Sequence, residues 1–150
     1  MLPPRVGGPP LIQALISFGV AIVVCGLAIR FGDKPARRVG MITLGGWVVS
    51  LIVFRNSARF ADIGLMLVDG VIAALFVWVS LSSRRLWTVV VAAFQMLGVA
   101  SHLATVIDHR VTINTYKLSL AVWSYGILAM LAVAVWRHWR EQRRVGDEGV

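Results

Sequence analysis

The sequence between residues 62 and 81 reads DIGLMLVDGVIAALFVWVSL. Asp62 and Asp69 are its only charged residues, and most other positions are apolar. An α-helix needs about 20 predominantly apolar residues to cross the hydrocarbon core of a bilayer, and this stretch has that length. Backbone groups in lipid have no water to bond, which favours a helix over a strand. Residues 62–81 therefore predict a transmembrane helix with an aspartate inside it.

Four other apolar stretches flank this segment. The predicted helices cover residues 11–29, 39–54, 62–81, 87–107 and 116–136. Together they predict an all-α, polytopic membrane helix bundle of about five transmembrane helices, in one membrane domain over residues 1–150. The stretch 39–54 is short for a span, so whether it fully crosses the bilayer stays open. The intervening links are short, so neighbouring helices should be antiparallel.

The composition of the whole chain agrees with a membrane class. The 150 residues are 58% hydrophobic and 15% charged, whereas a soluble domain is about half apolar and about a quarter charged. The formal net charge is +8, but the basic residues form short clusters between apolar runs, so we expect no nucleic-acid partner. Cys25 is the single cysteine and lies inside an apolar run, which excludes an internal disulfide. The run before the first basic cluster is longer than a signal-peptide core and predicts a retained helix.

Basic residues are unequally divided between the two sides of the predicted bundle. One side holds ten of them: Arg30, Lys34, Arg37, Arg38, Arg84, Arg85, Arg137, Arg140, Arg143 and Arg144. The other side holds five: Arg5, Arg55, Arg59, Arg110 and Lys117. Basic residues near helix ends favour the cytoplasmic side. The distribution therefore predicts an N-terminus outside, a C-terminus inside and a multi-pass protein of the bacterial inner (plasma) membrane.

Residues 137–150 form a predicted basic cytoplasmic tail. Its arginines are Arg137, Arg140, Arg143 and Arg144, and Trp136 and Trp139 lie among them. Arginine near an anionic lipid surface contributes about 1 kcal/mol each, and indole rings prefer the interface. We expect these four arginines to bind lipid headgroups. A plain positive-inside anchor explains them at least as well as a lipid-sensing role.

Polar residues recur seven positions apart inside four of the predicted helices. The pairs are Thr43 and Ser50, Asp62 and Asp69, Gln95 and His102, and Lys117 and Ser124. Residues seven apart lie on nearly the same helix face, within about 20°. Polar faces avoid lipid and pack against one another. The stripes should therefore converge on the interior of the bundle.

The depths of these residues bring them into one layer. At about 1.5 Å per residue, Asp69, His102, Ser124 and Ser50 lie roughly 6–12 Å from the outer helix ends. Asp69 and His102 are plausible direct neighbours, because a short link joins their helices. The pair admits two interpretations. It is a proton-, ion- or solute-binding site, with Asp69 neutral or paired with a protonated His102; alternatively, it is a structural hydrogen bond between the third and fourth helices.

The sequence thus yields a candidate intramembrane polar cluster and no catalytic set. The cluster comprises Asp69, His102, Gln95, Ser124, Tyr125 and Ser50, with Asp62 and Lys117 at the outer rim. No phosphate-binding loop, nucleophile elbow or paired-histidine motif is present in the sequence. We therefore predict no metal and no cofactor, and we do not favour an enzyme.

The region Arg84–Trp136 resembles a group of small, uncharacterised integral membrane proteins of alphaproteobacteria. The residues that carry this resemblance are Arg84-Arg85-Leu86-Trp87, Phe94-Gln95, His102-Leu103, Asp108, Tyr116 and Trp123-Ser124-Tyr125. They cover about a third of the chain and include the polar layer. The resemblance implies a bacterial membrane location and no particular mechanism.

Two functions follow from these observations. The first is a non-enzymatic accessory or regulatory subunit that binds other membrane components, with membrane lipids and another membrane protein or a second copy as partners. The short external loops favour it. The alternative is a proton- or small-solute-handling transporter or channel unit around Asp69 and His102.

Overall fold

The computed structural model describes residues 10–56, 61–107 and 113–147, with the side chains of 15–53, 63–105, 107 and 118–145. These residues form five α-helices and no strand, which confirms the predicted all-α class. The helices are α1 (Pro10–Phe31), α2 (Lys34–Asn56), α3 (Ala61–Ser83), α4 (Leu86–Ile107) and α5 (Ile113–Asp147).

Four of these helices are long and apolar enough to cross a membrane. The spans are Lys34–Val53, Ile63–Ser83, Leu86–Thr105 and Leu118–Val145, and α1 adds the shorter apolar segment Leu15–Phe31. By length and composition, the chain is therefore a multi-pass membrane protein. The 23 residues of α2 measure about 35 Å, which exceeds the hydrocarbon core of about 30 Å. The α2 helix, for which the sequence leaves a full span open, is thus long enough to cross the bilayer.

The five helices form a closed ring. Each packs on the next, and α5 returns to contact α1. Links of two residues join α1 to α2 (Gly32 and Asp33) and α3 to α4 (Arg84 and Arg85). We call the end of the bundle with these two links the basic end, and the opposite end the far end. The α5 helix runs from the far end to the basic end and ends at Asp147.

Side-chain contacts join the two links at the basic end. Asp33 Oδ1 accepts a hydrogen bond of 3.1 Å from the backbone N of Ala36, which caps the first turn of α2. Asp33 Oδ2 lies 3.3 Å from the guanidinium of Arg85. Thr88 Oγ1 donates to the carbonyl of Arg85 over 2.6 Å and holds the start of α4. The caps are local to each link, and the Asp33–Arg85 ion pair is the contact among these three that joins one link to the other.

Small residues allow α1 and α2 to pack closely. Ala21, Cys25 and Ala28 of α1 are fully buried. A Cβ added at Gly40 of α2 would lie 3.2 Å from the carbonyl oxygen of Cys25. Close backbone approach of this kind is how membrane helices gain van der Waals contact, since lipid supplies no hydrophobic drive.

The α3 helix has one face for lipid and one for the core. Ile63, Leu67 and Val71 are exposed, at the four-residue spacing of one helix face. Phe76 and Val79 are buried on the opposite face. Toward the basic end the inward face thus carries Phe76 and Val79 with the buried hydroxyl of Ser80, and Asp69 lies nearer the far end.

Candidate functional site

Asp69 and His102 are in direct contact at the α3–α4 interface. The Nε2 atom of His102 lies 2.8 Å from Oδ2 of Asp69. Asp69 lies eight residues after the start of α3, and His102 five residues before the end of α4, which is about 12 Å and about 8 Å from the far end. The antiparallel packing of the two helices therefore brings together the neighbours that the sequence predicts.

Gln95 holds the second oxygen of the carboxylate. Its Nε2 donates to Oδ1 of Asp69 over 3.1 Å and approaches the Asp69 carbonyl oxygen at 3.5 Å. Gln95 and His102 are seven residues apart on α4, so both point at α3 from the same face. Asp69 thus has a partner on each carboxylate oxygen.

This geometry allows two proton positions between Asp69 and His102. The amide of Gln95 donates to Oδ1, so a proton on the carboxyl group would lie on Oδ2 and face the imidazole. The same proton on Nε2 gives an ionised carboxylate hydrogen-bonded to the ring. His102 is 4% exposed, whereas the side chain of Asp69 is 25% exposed. The pair therefore combines an enclosed imidazole with a carboxylate that remains accessible.

A cavity of about 190 Å³ lies beside this pair, between α2, α3, α4 and α5. The polar side chains that line it are Thr43, Ser50, Asp69, Gln95 and Ser124. Four aromatic side chains complete its walls: Trp47, Phe76, Phe94 and Trp123. The cavity is large enough for several water molecules, since one water molecule occupies about 30 Å³ in the liquid. Each of the four predicted stripes thus contributes at least one side chain to a shared interior space.

The cavity ends toward the basic end in apolar packing. Phe76 and Leu128 line it and are themselves buried. Beyond them, Val79, Val91 and Leu131 have no solvent exposure at all. Within the described residues, the space beside Asp69 is therefore a pocket that this layer closes toward the basic end.

Trp123 is a wall residue that the polar stripes do not predict. Its indole Nε1 donates to Ser101 Oγ over 3.1 Å, and Ser101 Oγ donates to the carbonyl of Leu97 over 2.9 Å. The ring also lies 6.2 Å from the ring of Phe94, centroid to centroid. Trp123 precedes Ser124 of the stripe by one residue and is one of the residues that carry the family resemblance, and these two signals could have found it.

One member of the predicted cluster is placed elsewhere. Tyr125 is 44% exposed and its hydroxyl bonds Ser17 of α1. It does not line the cavity beside Asp69, but it lines a second pocket together with Ser17 and Ser124. Tyr125 is thus a neighbour of Ser124 that faces α1. The predicted rim residues Asp62 and Lys117 have side chains that lie outside the described residues.

The basic end of α5 carries the four arginines assigned to lipid headgroups. Arg137, Arg140, Arg143 and Arg144 are all exposed. The guanidinium of Arg140 lies 5.3 Å from the centroid of the Trp136 ring, and that of Arg143 lies 3.8 Å from the Trp139 ring. These stacked pairs keep the side chains near the helix and leave their charge accessible.

No group of three or more metal-ligating side chains occurs among the described residues. No family model, curated protein or solved structure matches the chain.

Proposed function

We propose that this chain is a small multi-pass protein of the bacterial inner membrane that binds a proton and a small polar solute at Asp69 and His102. The contact of 2.8 Å between the two side chains, at the edge of an interior cavity, carries this proposal. It is the proton- or solute-handling alternative among the functions that the sequence suggests.

The cavity favours binding over a purely structural role for the pair. A hydrogen bond that serves only to align two helices is best enclosed by packed side chains. Asp69 instead lines an interior space together with Gln95, Ser50 and Ser124 from three other helices. Ionisable residues inside membrane spans that face such a cavity are functional candidates.

The apolar layer at Phe76 and Leu128 favours an occluding site over an open pore. A solute that enters the cavity meets buried side chains toward the basic end. Passage across the membrane would therefore require the helices to rearrange, as in a transporter. Binding without passage would suit a sensor or regulatory unit.

The orientation of the chain in the membrane is part of the same proposal. By the sequence count, ten basic residues belong to the segments of the basic end and five to the remaining segments, which supports a cytoplasmic basic end. The site would then lie in the outer half of the bilayer. Its proton and its solute would come from the external side.

The proposal is tested by following the protonation of His102 directly. The chain has three histidines, so ¹⁵N-histidine NMR of the full chain in nanodiscs resolves them, with His102→Gln for assignment. We expect Asp69→Asn to change the protonation state or tautomer of the His102 ring, which its two ¹⁵N signals report, because Nε2 then loses the carboxylate that it faces at 2.8 Å. His102 signals that are the same with and without that carboxylate would overturn the proposal.

An accessory subunit is the second candidate function. The observation that favours it is the exposed arginine surface of α5, which extends past the two-residue links at the basic end. Such a surface suits anionic lipid or an acidic membrane partner. Recovery of the chain with one fixed partner in mild detergent would support this role, and recovery as a lone species at every detergent strength would contradict it.

A further inference from the structure

We infer that the solute bound beside Asp69 is a small organic cation of the substituted-ammonium class. This inference rests on the proposed function and names the ligand of the same site. It follows from a carboxylate and four aromatic rings that line one cavity.

The four helices around the cavity each contribute one aromatic ring. Trp47 comes from α2, Phe76 from α3, Phe94 from α4 and Trp123 from α5. A cation close to an aromatic face is attracted by the ring quadrupole, most strongly with tryptophan, and aromatic cages recognise quaternary ammonium groups in this way. Rings on all sides suit a rounded cation better than a planar or strongly hydrated one.

The charge of the cavity selects against anions. Asp69 is the acidic group among the described lining residues, and no lysine or arginine lines the cavity. Gln95, Ser50 and Ser124 add neutral polar atoms that can bond a ligand hydroxyl or amine. The volume of about 190 Å³ is below the range of about 300–1,000 Å³ for drug-sized ligands, so the ligand is small.

Binding of a cation is linked to release of a proton. Asp69 neutralises either a protonated His102 or a cation in the cavity, and two positive charges beside one carboxylate repel each other. Each cation bound therefore displaces up to one proton from the Asp69–His102 pair to the solvent. In this part of the bundle, α3 and α4 supply these two titratable groups and α5 supplies Tyr125 on the neighbouring wall. The helix positions Arg55, Asp62 and Lys117 belong to the same end, with side chains outside the described residues, and Asp108, His109 and Arg110 lie outside the described residues altogether.

The test compares choline with its uncharged isostere 3,3-dimethylbutan-1-ol. Full-length protein in nanodiscs is titrated by calorimetry, and a pH-indicator dye in weak buffer reports proton release. We expect choline to bind about tenfold or more tightly than the alcohol, because only choline carries the positive charge that the carboxylate and the aromatic rings attract. We also expect choline, and not the alcohol, to release protons.

Two variants locate the binding. Asp69→Asn should remove both the preference for choline and the proton release. Gly98→Val tests the cavity without touching the charged pair: Gly98 lines the cavity, and a Cβ there meets nothing within 4 Å. Its matched control is Gly26→Val, on the exposed face of α1 with equal space around the Cβ. Choline binding should be lost in the first and kept in the second.

The outcomes separate this inference from the proposed function. Equal binding of choline and the alcohol, or binding that survives Gly98→Val, overturns the cation assignment. So does the absence of any choline-linked proton release while the His102 ring still responds to Asp69→Asn, and that result leaves the proposed proton site standing. A His102 ring that does not respond to Asp69→Asn overturns both.

Discussion

Asp69 makes both of its carboxylate contacts with α4, through Gln95 and His102. In soluble proteins, removing one partner of a buried ion pair costs about 3–5 kcal/mol. Between membrane helices, polar contacts average only about 0.6 kcal/mol and reach about 1.7, because separated helices also find polar partners in the membrane. The smaller range applies to Asp69, since its helix remains inserted when the bundle comes apart.

Replacing Asp69 by alanine should therefore lower the free energy of unfolding by about 1–2 kcal/mol, since two contacts are lost. Asp69→Asn should cost less, because its amide oxygen still accepts from Gln95. Unfolding by SDS in mixed micelles, followed by tryptophan fluorescence, measures both. Val71→Ala is the control, because Val71 is exposed on the same helix and should change stability by less than about 0.5 kcal/mol. If Asp69→Ala proved as mild as Val71→Ala, the contact with His102 would contribute nothing to packing.

The residues at which the helices begin and end are the feature of the fold that the sequence predicts least well. Apolar counting predicts a second helix over 39–54 and a fifth over 116–136, whereas α2 is Lys34–Asn56 and α5 is Ile113–Asp147. Apolar counting stops at charged residues, but a helical backbone continues until its end groups are satisfied. The Asp33 cap begins α2 among basic residues, and arginines stacked on tryptophans accompany α5 past the apolar segment. The class and number of helices follow from composition, and their ends from contacts that only the fold supplies.

The Asp33 side chain should stabilise the start of α2 as an N-terminal cap. Asp33→Ala should destabilise the protein by about 1 kcal/mol, since it leaves a backbone N–H of α2 without its acceptor. Asp33→Asn keeps a capping oxygen and loses only the ion pair with Arg85. Because the side chain of Arg85 is 55% exposed, that pair should contribute less than about 1 kcal/mol. The two variants are compared by the same SDS titration, and equal losses would show that the charge, not the cap, stabilises the end of the bundle.

Gly126 tests the contact between α4 and α5. A Cβ at this position would lie 3.1 Å from three atoms of the Phe94 ring, which packs against Trp123. Gly126→Ala should therefore destabilise the protein by about 1–3 kcal/mol, as overpacked cores do. Gly26→Ala introduces the same methyl group where nothing lies within 4 Å, and should be neutral or stabilising by about 0.5–1 kcal/mol, because alanine favours helix. If both variants unfolded alike, the Phe94 ring would have to move aside freely.

At the scale of the whole molecule, the sequence predicts which residues share a face and not what encloses them. The seven-residue spacing places Asp69, Gln95 and His102 together correctly. It gives no sign of the aromatic walls, since Trp47 and Trp123 follow no polar repeat and join the site only because four helices converge. It also includes Tyr125, whose side chain turns toward α1. A cavity is a property of several helices at once, so one-helix periodicity cannot predict it.

The direction of the bundle in the membrane determines which side reaches the site. The chain's single cysteine, Cys25, is fully buried, so new cysteines can be labelled selectively. Ile107→Cys at the far end and Val145→Cys at the basic end start from side chains that are 75% and 73% exposed. Because basic residues favour the cytoplasmic side, we expect a membrane-impermeant maleimide to label Ile107→Cys in intact cells and Val145→Cys only after permeabilisation.

The unaltered chain is the control for this labelling, since Cys25 should react in neither condition. The two positions keep all 15 lysines and arginines, so the charge distribution that governs insertion is unchanged. Labelling of Val145→Cys in intact cells would mean that the basic end faces outward. The site would then lie in the cytoplasmic half of the bilayer, and the proton and cation at Asp69 would come from inside the cell.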